Sequence, residues 1–249
     1  MIKAVGVSKS FGETTVLNDI NIVFEPGAPN LIIGQSGSGK TVLMKCLLGL
    51  YDNIEGSVWY DDRNFLAMSV QEKKLIRQEI GMVFQGGALF DSMTVEQNVM
   101  FPLNMYTNQS ALEKLKRVDF CLERVNLEGV NDLFPGELSG GMKKRVAIAR
   151  AISMNPKYLF CDEPNSGLDP ITAVVIDKLI CDITKEYNMT TIINTHDINS
   201  VMEIGDKIAF IYMGELWWEG SNIDILHTDN VEINEFVFAT ELTKKIKKD

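Results

Sequence analysis

The sequence predicts an α/β core that follows a pair of antiparallel strands and is interrupted by a helical lobe. Three stretches carry that expectation. The first is Gly34-Gln35-Ser36-Gly37-Ser38-Gly39-Lys40-Thr41, with the apolar run Leu31-Ile32-Ile33 before it and a helix-like segment, Thr41 to Leu48, after it. The second is Tyr158-Leu159-Phe160-Cys161, an apolar run that ends in Asp162-Glu163. The third is the change of texture at Gln85, after which residues 85–140 read as mostly helical before strand-like sequence returns.

The elements follow in order. Residues 2–7 and 20–24 alternate apolar and polar and read as antiparallel strands joined across a turn at Gly12. Phe11 lies between them; its ring can stack on a base or close the strand end. Leu31-Ile32-Ile33 reads as a buried strand, and Leu43, Leu47 and Leu50 share one face of the helix after it. Residues 57–60 and 80–84 supply strands around a helix from Ser69 to Glu79. Helices are expected at about 94–101 and 110–125. The second carries Leu112, Leu115, Val118, Leu122 and Val125 at spacings of 3 or 4 residues. A helix runs from Ser139 to about Ser153, and another from about 171 to 187. Strands at Thr190 to Asn194, near 207–212 and at 215–219 close the core. The tail, residues 231–249, reads as a helix ending in Lys244-Lys245-Ile246-Lys247-Lys248. Lysines there complement the helix dipole or meet a membrane surface.

Composition bounds the function. The 249 residues suit one large domain or a main domain with an inserted lobe, and 45% hydrophobic with 23% charged residues is ordinary globular material. No run approaches the roughly 18 apolar residues that span a bilayer. Met1-Ile2-Lys3-Ala4 leads straight into a strand, so no signal peptide is expected. A net charge of −10 argues against a general nucleic-acid binder. Cys46, Cys121, Cys161 and Cys181 show no C-x-x-C spacing and read as buried free thiols of a reducing compartment.

The chemistry lies in four motifs. Gly34 to Thr41 matches G-x-x-x-x-G-K-[ST] in the strand-to-helix context that gives the pattern its mechanism. Its glycines let backbone N–H groups of Gly34, Gln35, Ser36, Gly37, Ser38 and Gly39 face phosphate oxygens at the positive end of a helix. Lys40 would reach the β- and γ-phosphates, and the Thr41 hydroxyl would bind Mg²⁺. Asp162 would hold the same ion, and Glu163 would orient and deprotonate an attacking water; a strand end turning to solvent also accounts for such acids. Ser139, Gly140 and Gly141 start a helix whose early turns carry Lys143, Lys144 and Arg145, with Arg150 beyond. Cations at a helix start favour an anion there. His196, one of two histidines, follows an apolar strand and either contacts a γ-phosphate or is structural.

The order phosphate loop, Gln85, Leu138-Ser139-Gly140-Gly141, acid pair, Ser166-Gly167-Leu168-Asp169 and His196 resembles the nucleotide-binding subunit of ABC transporters over nearly the whole chain. The resemblance implies a single domain, 1–249, with a P-loop NTPase (RecA-like) core, an antiparallel β subdomain, and the 85–140 lobe as the helical subdomain that grips a permease. It implies that Phe11 stacks on adenine and that Gln85 senses Mg²⁺ and water. Ser139, Gly140 and Gly141 would cap the γ-phosphate of the opposite subunit. Glu163 would be the base, Asp169 would communicate between two sites, and His196 would be a switch. Phe84 to Phe90, Met93 to Val99 with Pro102-Leu103, Glu137 to Met142 and Gly167 to Thr172 are similar to the ATPase of MCE-type (Mla) lipid transporters. Met142 stands where most ABC proteins have glutamine, and methionine offers no amide hydrogen bonds.

The implied protein is an ATPase that powers phospholipid transport, with ATP and Mg²⁺ as ligands. Its implied partners are a second copy, a permease contacted through 85–103, and an MCE-domain lipid-binding protein. It would sit peripherally on the cytoplasmic face of the inner membrane. Two other readings share the motifs: the ATPase of an importer or exporter of amino acids, metals or lipoproteins, and a soluble ATPase of iron–sulphur cluster assembly. The absence of an N-K-x-D-like guanine reader disfavours a GTPase.

Overall fold

The computed structural model describes residues 1–239. The chain begins with β1 (Ile2–Phe11) and β2 (Thr14–Phe24), then β3 (Pro29–Ile33), α1 (Lys40–Leu47), β4 (Glu55–Tyr60), β5 (Arg63–Asn64), α2 (Val70–Gln78) and β6 (Ile80–Val83). Next come α3 (Val95–Tyr106), α4 (Ala111–Arg124), α5 (Gly140–Ile152), β7 (Tyr158–Asp162), α6 (Pro170–Glu186) and β8 (Thr190–Asn194). It closes with α7 (Ile198–Ile204), β9 (Lys207–Tyr212), β10 (Glu215–Gly220), α8 (Asn222–His227) and α9 (Val231–Val237).

Two sheets form. The first, β2-β1-β4-β5, is antiparallel. The second runs β10-β9-β3-β8-β7-β6, parallel except for the antiparallel edge strand β10. Strands β3, β8 and β7 are adjacent inner strands and are buried almost throughout, which is why their sequences are continuous apolar runs. One core lies between the two sheets around α1, with Leu17, Ile32, Leu43 and Phe160. The other lies between the parallel sheet and α3 to α9, with Leu31, Val146, Leu159 and Ile193.

Helix starts are written locally. Ser69, Thr94 and Ser110 each accept from the backbone N–H three residues on, and the residue there, Glu72, Gln97 or Glu113, returns a bond. Each such cap is worth about 1 kcal/mol. Gly81 in β6 lets two elements meet: a Cβ there would lie 2.4 Å from the Ala151 carbonyl oxygen.

Several expectations are corrected. Leu50 lies beyond α1 and is exposed, because the helix ends at Leu47 and a turn follows. Leu112 faces solvent at the first turn of α4, before that helix reaches the core. Helix α3 continues through Pro102 to Tyr106 instead of ending near 101. The fully buried Asn98 accepts from Phe90 N and donates to the carbonyls of Phe90, Met93 and Thr94, which ties the preceding loop to this helix. At the C-terminus α9 stops at Val237, and the part of the expected tail helix at 240–249 lies outside the described residues. The thiols of Cys46, Cys121 and Cys161 are buried and that of Cys181 is half-buried; all four are free, and burial pushes each upward, to about 11 for Cys46 and Cys121.

Candidate active site

The carboxyl ends of β3, β7 and β8 open onto one cavity of about 670 Å³. Parallel sheets place ligands there. Its walls are Gly34, Gln35, Ser36, Gly37, Gly39, Lys40, Thr41, Gln85, Asp162, Glu163 and His196, joined by Val16, Val42 and Phe236.

The loop from 34 to 41 needs its glycines. Gly34 has φ 149°, and a Cβ there would lie 2.3 Å from the Ile211 carbonyl oxygen. Gly39, the residue before α1, has φ 108°. Lys40 is buried, and its Nζ donates to the carbonyls of Gly34 (2.8 Å) and Gln35 (2.9 Å). Burial pushes the Lys40 ammonium below its ordinary value, while the charges of Glu163 and Asp162 hold it up. The buried Ser38 hydroxyl has no partner.

The acids come from the end of β7. Asp162 accepts from Asn194 Nδ2 at 2.8 Å, and the same amide lies 3.4 Å from the Thr41 hydroxyl. Asn194 thus joins two candidate Mg²⁺ ligands from different elements. It escaped the sequence reading, although a polar residue closing an apolar strand was its signal. Glu163 has φ 52°, left-handed for a non-glycine residue, and its N–H donates to Asn194 O at 2.8 Å. His196 Nδ1 lies 2.7 Å from Glu163 Oε1 and 2.6 Å from Oε2. Gln85, just past β6, places Nε2 at 3.4 Å from Ser166 Oγ.

These groups suit a magnesium nucleotide. Among the described residues no three His, Cys, Asp or Glu side chains gather as a metal cluster. A hard cation that draws on one hydroxyl, one carboxylate, an amide oxygen and phosphate oxygens needs no such cluster. The buried Lys40 ammonium, held only by loop carbonyls, lines the cavity and is a donor that an anion would satisfy.

Ser139, Gly140, Gly141 and Asp169 are not in this cavity. They line a separate one of about 500 Å³ with Arg145, Gly167, Leu168 and Thr172. Ser139 caps α5 by accepting from Met142 N at 3.3 Å. Asp169 caps α6 by accepting from the Thr172 hydroxyl (2.6 Å) and N–H (3.0 Å), bonds that hold its carboxyl below the usual range. Phe11 lines neither cavity. Its ring is 44% exposed and stands edge-on to Tyr51 at 5.2 Å, with Lys9 Nζ 4.9 Å away.

Of the cations early in α5, Lys144 departs from expectation, whereas Arg145 lines the cavity of the signature glycines. Lys144 donates to the carbonyls of Gln85 and Glu163, and Arg150 to those of Gly87 and Ala88, each at 2.7 Å. Both face the sheet, so neither waits for an anion at the helix start. Periodicity alone does not tell which loop a buried cation meets.

The order and geometry of these motifs have counterparts. The family model described as ABC transporter matches residues 17–166. The chain belongs to the ABC transporter family. It is 35% identical over 236 residues to the probable ribonucleotide transport ATP-binding protein mkl of Mycobacterium leprae, covering 95% of this chain and 68% of that protein. It is 38% identical over 242 residues to the methionine import ATP-binding protein MetN 3 of Shouchella clausii, covering 95% and 70%. The ATP-binding cassette MJ0796, solved as a dimer in a post-hydrolysis state bound to ADP and Pi, superposes with a TM-score of 0.80 at 33% identity, covering 89% of this chain and 99% of that one. This ABC chain therefore has the α/β cassette fold of an ATP-binding subunit, and ABC cassettes hydrolyse ATP. Among the described residues no helix is long and apolar enough to cross a membrane.

Proposed function

We propose that this ABC chain is the ATP-hydrolysing subunit of a transporter and works as a homodimer. The observation that carries this reading is the split of its motifs between two cavities. The phosphate loop and acids share one, and the Ser139-Gly140-Gly141 signature lines another. Each chain then holds two half-sites, and a second copy completes both.

Backbone N–H groups of residues 34–39 and the Lys40 ammonium hold the phosphates, while Thr41, Asp162 and Gln85 hold Mg²⁺. The ion, when bound, neutralises phosphate charge. Glu163 takes the proton of the attacking water, and His196, touching both its oxygens, fixes the carboxylate's orientation. Ser139, Gly140 and Gly141 close over the γ-phosphate of the opposite copy, and Asp169 links the two sites. Phe11 contributes a stacking face for adenine.

Residues 1–249 act as one cassette domain, with 85–140 as the subdomain that meets a membrane permease through 85–103. An apolar groove of about 550 Å³ lined by Phe84, Phe90, Phe101, Pro102 and Tyr106 supports that contact. The chain then sits at the cytoplasmic face of the membrane. The 84–103 segment and Met142 favour a phospholipid transporter with an MCE-domain partner. The named relatives favour a second reading, a transporter of ribonucleotides or an importer of methionine.

Glu163→Gln tests the chemistry. ATP binding is retained and hydrolysis falls about 1,000-fold; unchanged turnover sinks the assignment. Hydrolysis also depends on dimerisation, so full activity from a monomeric preparation contradicts the shared site. Co-purification from membranes separates the cargo readings: an MCE-domain protein supports lipid, and a solute-binding protein overturns it.

A further inference from the structure

Lys144 stands in the second turn of α5, a few residues behind the signature glycines. Its side chain is buried, and its ammonium donates to the carbonyl oxygens of Gln85 and, at 3.4 Å, Glu163. One side chain therefore joins the signature helix to the segment after β6 and the segment after β7. No carboxylate oxygen lies within ion-pairing reach among the described residues' salt bridges. Burial pushes the Lys144 ammonium below its ordinary value, and the negative charge of Glu163 is the largest influence holding it up. A buried ammonium that meets only carbonyls is costly to keep, so packing alone is a poor reason for a lysine here.

The backbone that Lys144 holds is also unusual. Glu163 is left-handed at φ 52°. A non-glycine residue stays there only when neighbours over-determine it. Three bonds do so: its N–H donates to Asn194 O (2.8 Å), and its carbonyl accepts from Ser166 N (3.2 Å) and from Lys144. Lys144 is the one of the three that arrives from the signature helix.

We propose that Lys144 is a positioning residue for ATP hydrolysis, fixing the Gln85 and Glu163 backbones to the helix that starts at Ser139. This rests on the ATPase reading above. Movement of the signature over one nucleotide is then transmitted to the base that serves the other. Lys144 touches neither water nor phosphate; it sets where Gln85 and Glu163 stand.

The test measures kcat and ATP affinity for the full-length chain with Lys144→Met and Lys144→Arg, with Glu163→Gln run alongside. In Lys144→Met, kcat falls about 100-fold while the Kd for ATP stays within about twofold, because misplacing a base by about 1 Å costs rate and not binding. Lys144→Arg keeps the charged donors and restores most of kcat. If the methionine variant does not fold, Lys144→Leu, which likewise has no donor, takes its place with the same expectation. A kcat for the neutral variant within about twofold of the parent overturns the proposal. So does a joint loss of kcat and ATP binding that arginine does not rescue. An intact neutral Lys144 variant beside a dead Glu163→Gln sinks the Lys144 role alone. An active Glu163→Gln sinks the active-site reading with it.

Discussion

Asp177 makes the sharpest quantitative test of the scaffold behind the site. It lies on α6, the helix that Asp169 caps, and is 3% exposed. Its Oδ2 accepts from Ser200 Oγ on α7 at 2.6 Å and from Asn165 Nδ2 at 3.2 Å. Asn165 also donates to Ser200 Oγ at 2.7 Å and to Asp197 Oδ2 at 3.4 Å. The network therefore ties the helix after Asp169 to the helix after His196. Its Oδ1 has no partner. Burial pushes the Asp177 carboxyl up to about 6 from 3.8, with the charges of Asp197 and Glu203 adding to it against the bonds from Ser200 and Asn165. The folded state then holds a proton where the unfolded chain has released it. Asp177 costs stability as pH rises from about 4 through 6, and the cost is constant above that. Two units correspond to about 3 kcal/mol. Asp177→Asn keeps the shape and an acceptor for Ser200 but cannot ionise. The variant should be more stable than the parent by up to about 3 kcal/mol at pH 7.5 and about half that at pH 5. For a chain of this size the gain at pH 7.5 is roughly 6–12 °C in Tm. Denaturant melts of both proteins between pH 5 and 7.5 measure it, and the difference isolates this group from other titrations. A pH-independent difference, or a variant less stable at pH 7.5, refutes the reasoning.

Three further outcomes follow from the site. Lys40→Ala should abolish the stabilisation that the parent gains from Mg·ATP, about 3 kcal/mol at a hundred times its Kd, as read in a thermal shift; a retained shift would mean the nucleotide sits elsewhere. His196→Ala removes the contact that orients Glu163 and should lower kcat about 100-fold with ATP binding intact, so a drop in affinity with normal turnover would place His196 in binding alone. Gly34→Ala puts a Cβ 2.3 Å from the Ile211 carbonyl oxygen at a φ that alanine avoids, and should destabilise the chain by about 3 kcal/mol in a urea melt; a neutral effect would show that the loop relaxes.

The sequence determined the parts whose chemistry is local. Helix caps at Ser69, Thr94, Ser110 and Ser139 need only a hydroxyl three residues before an N–H. Strands β3, β7 and β8 are apolar runs because both their faces are buried, and the loop from 34 to 41 carries its glycines where the backbone turns left-handed. The tertiary structure decided what distant segments meet. Leu112 and Val118 belong to the same apolar pattern along α4, but only the approach of neighbouring elements buries Val118 and leaves Leu112 exposed. Lys144 reads as one more cation at a helix start; it becomes a link between Gln85 and Glu163 only when β6 and β7 pair side by side and α5 packs across them. Asn194 and Asp162 are 32 residues apart in the chain and 2.8 Å apart in the fold, because β7 and β8 are parallel and in register. Residue types and short spacings are written in the chain; which buried charge faces which carbonyl depends on sheet order, and that is a property of the packed whole.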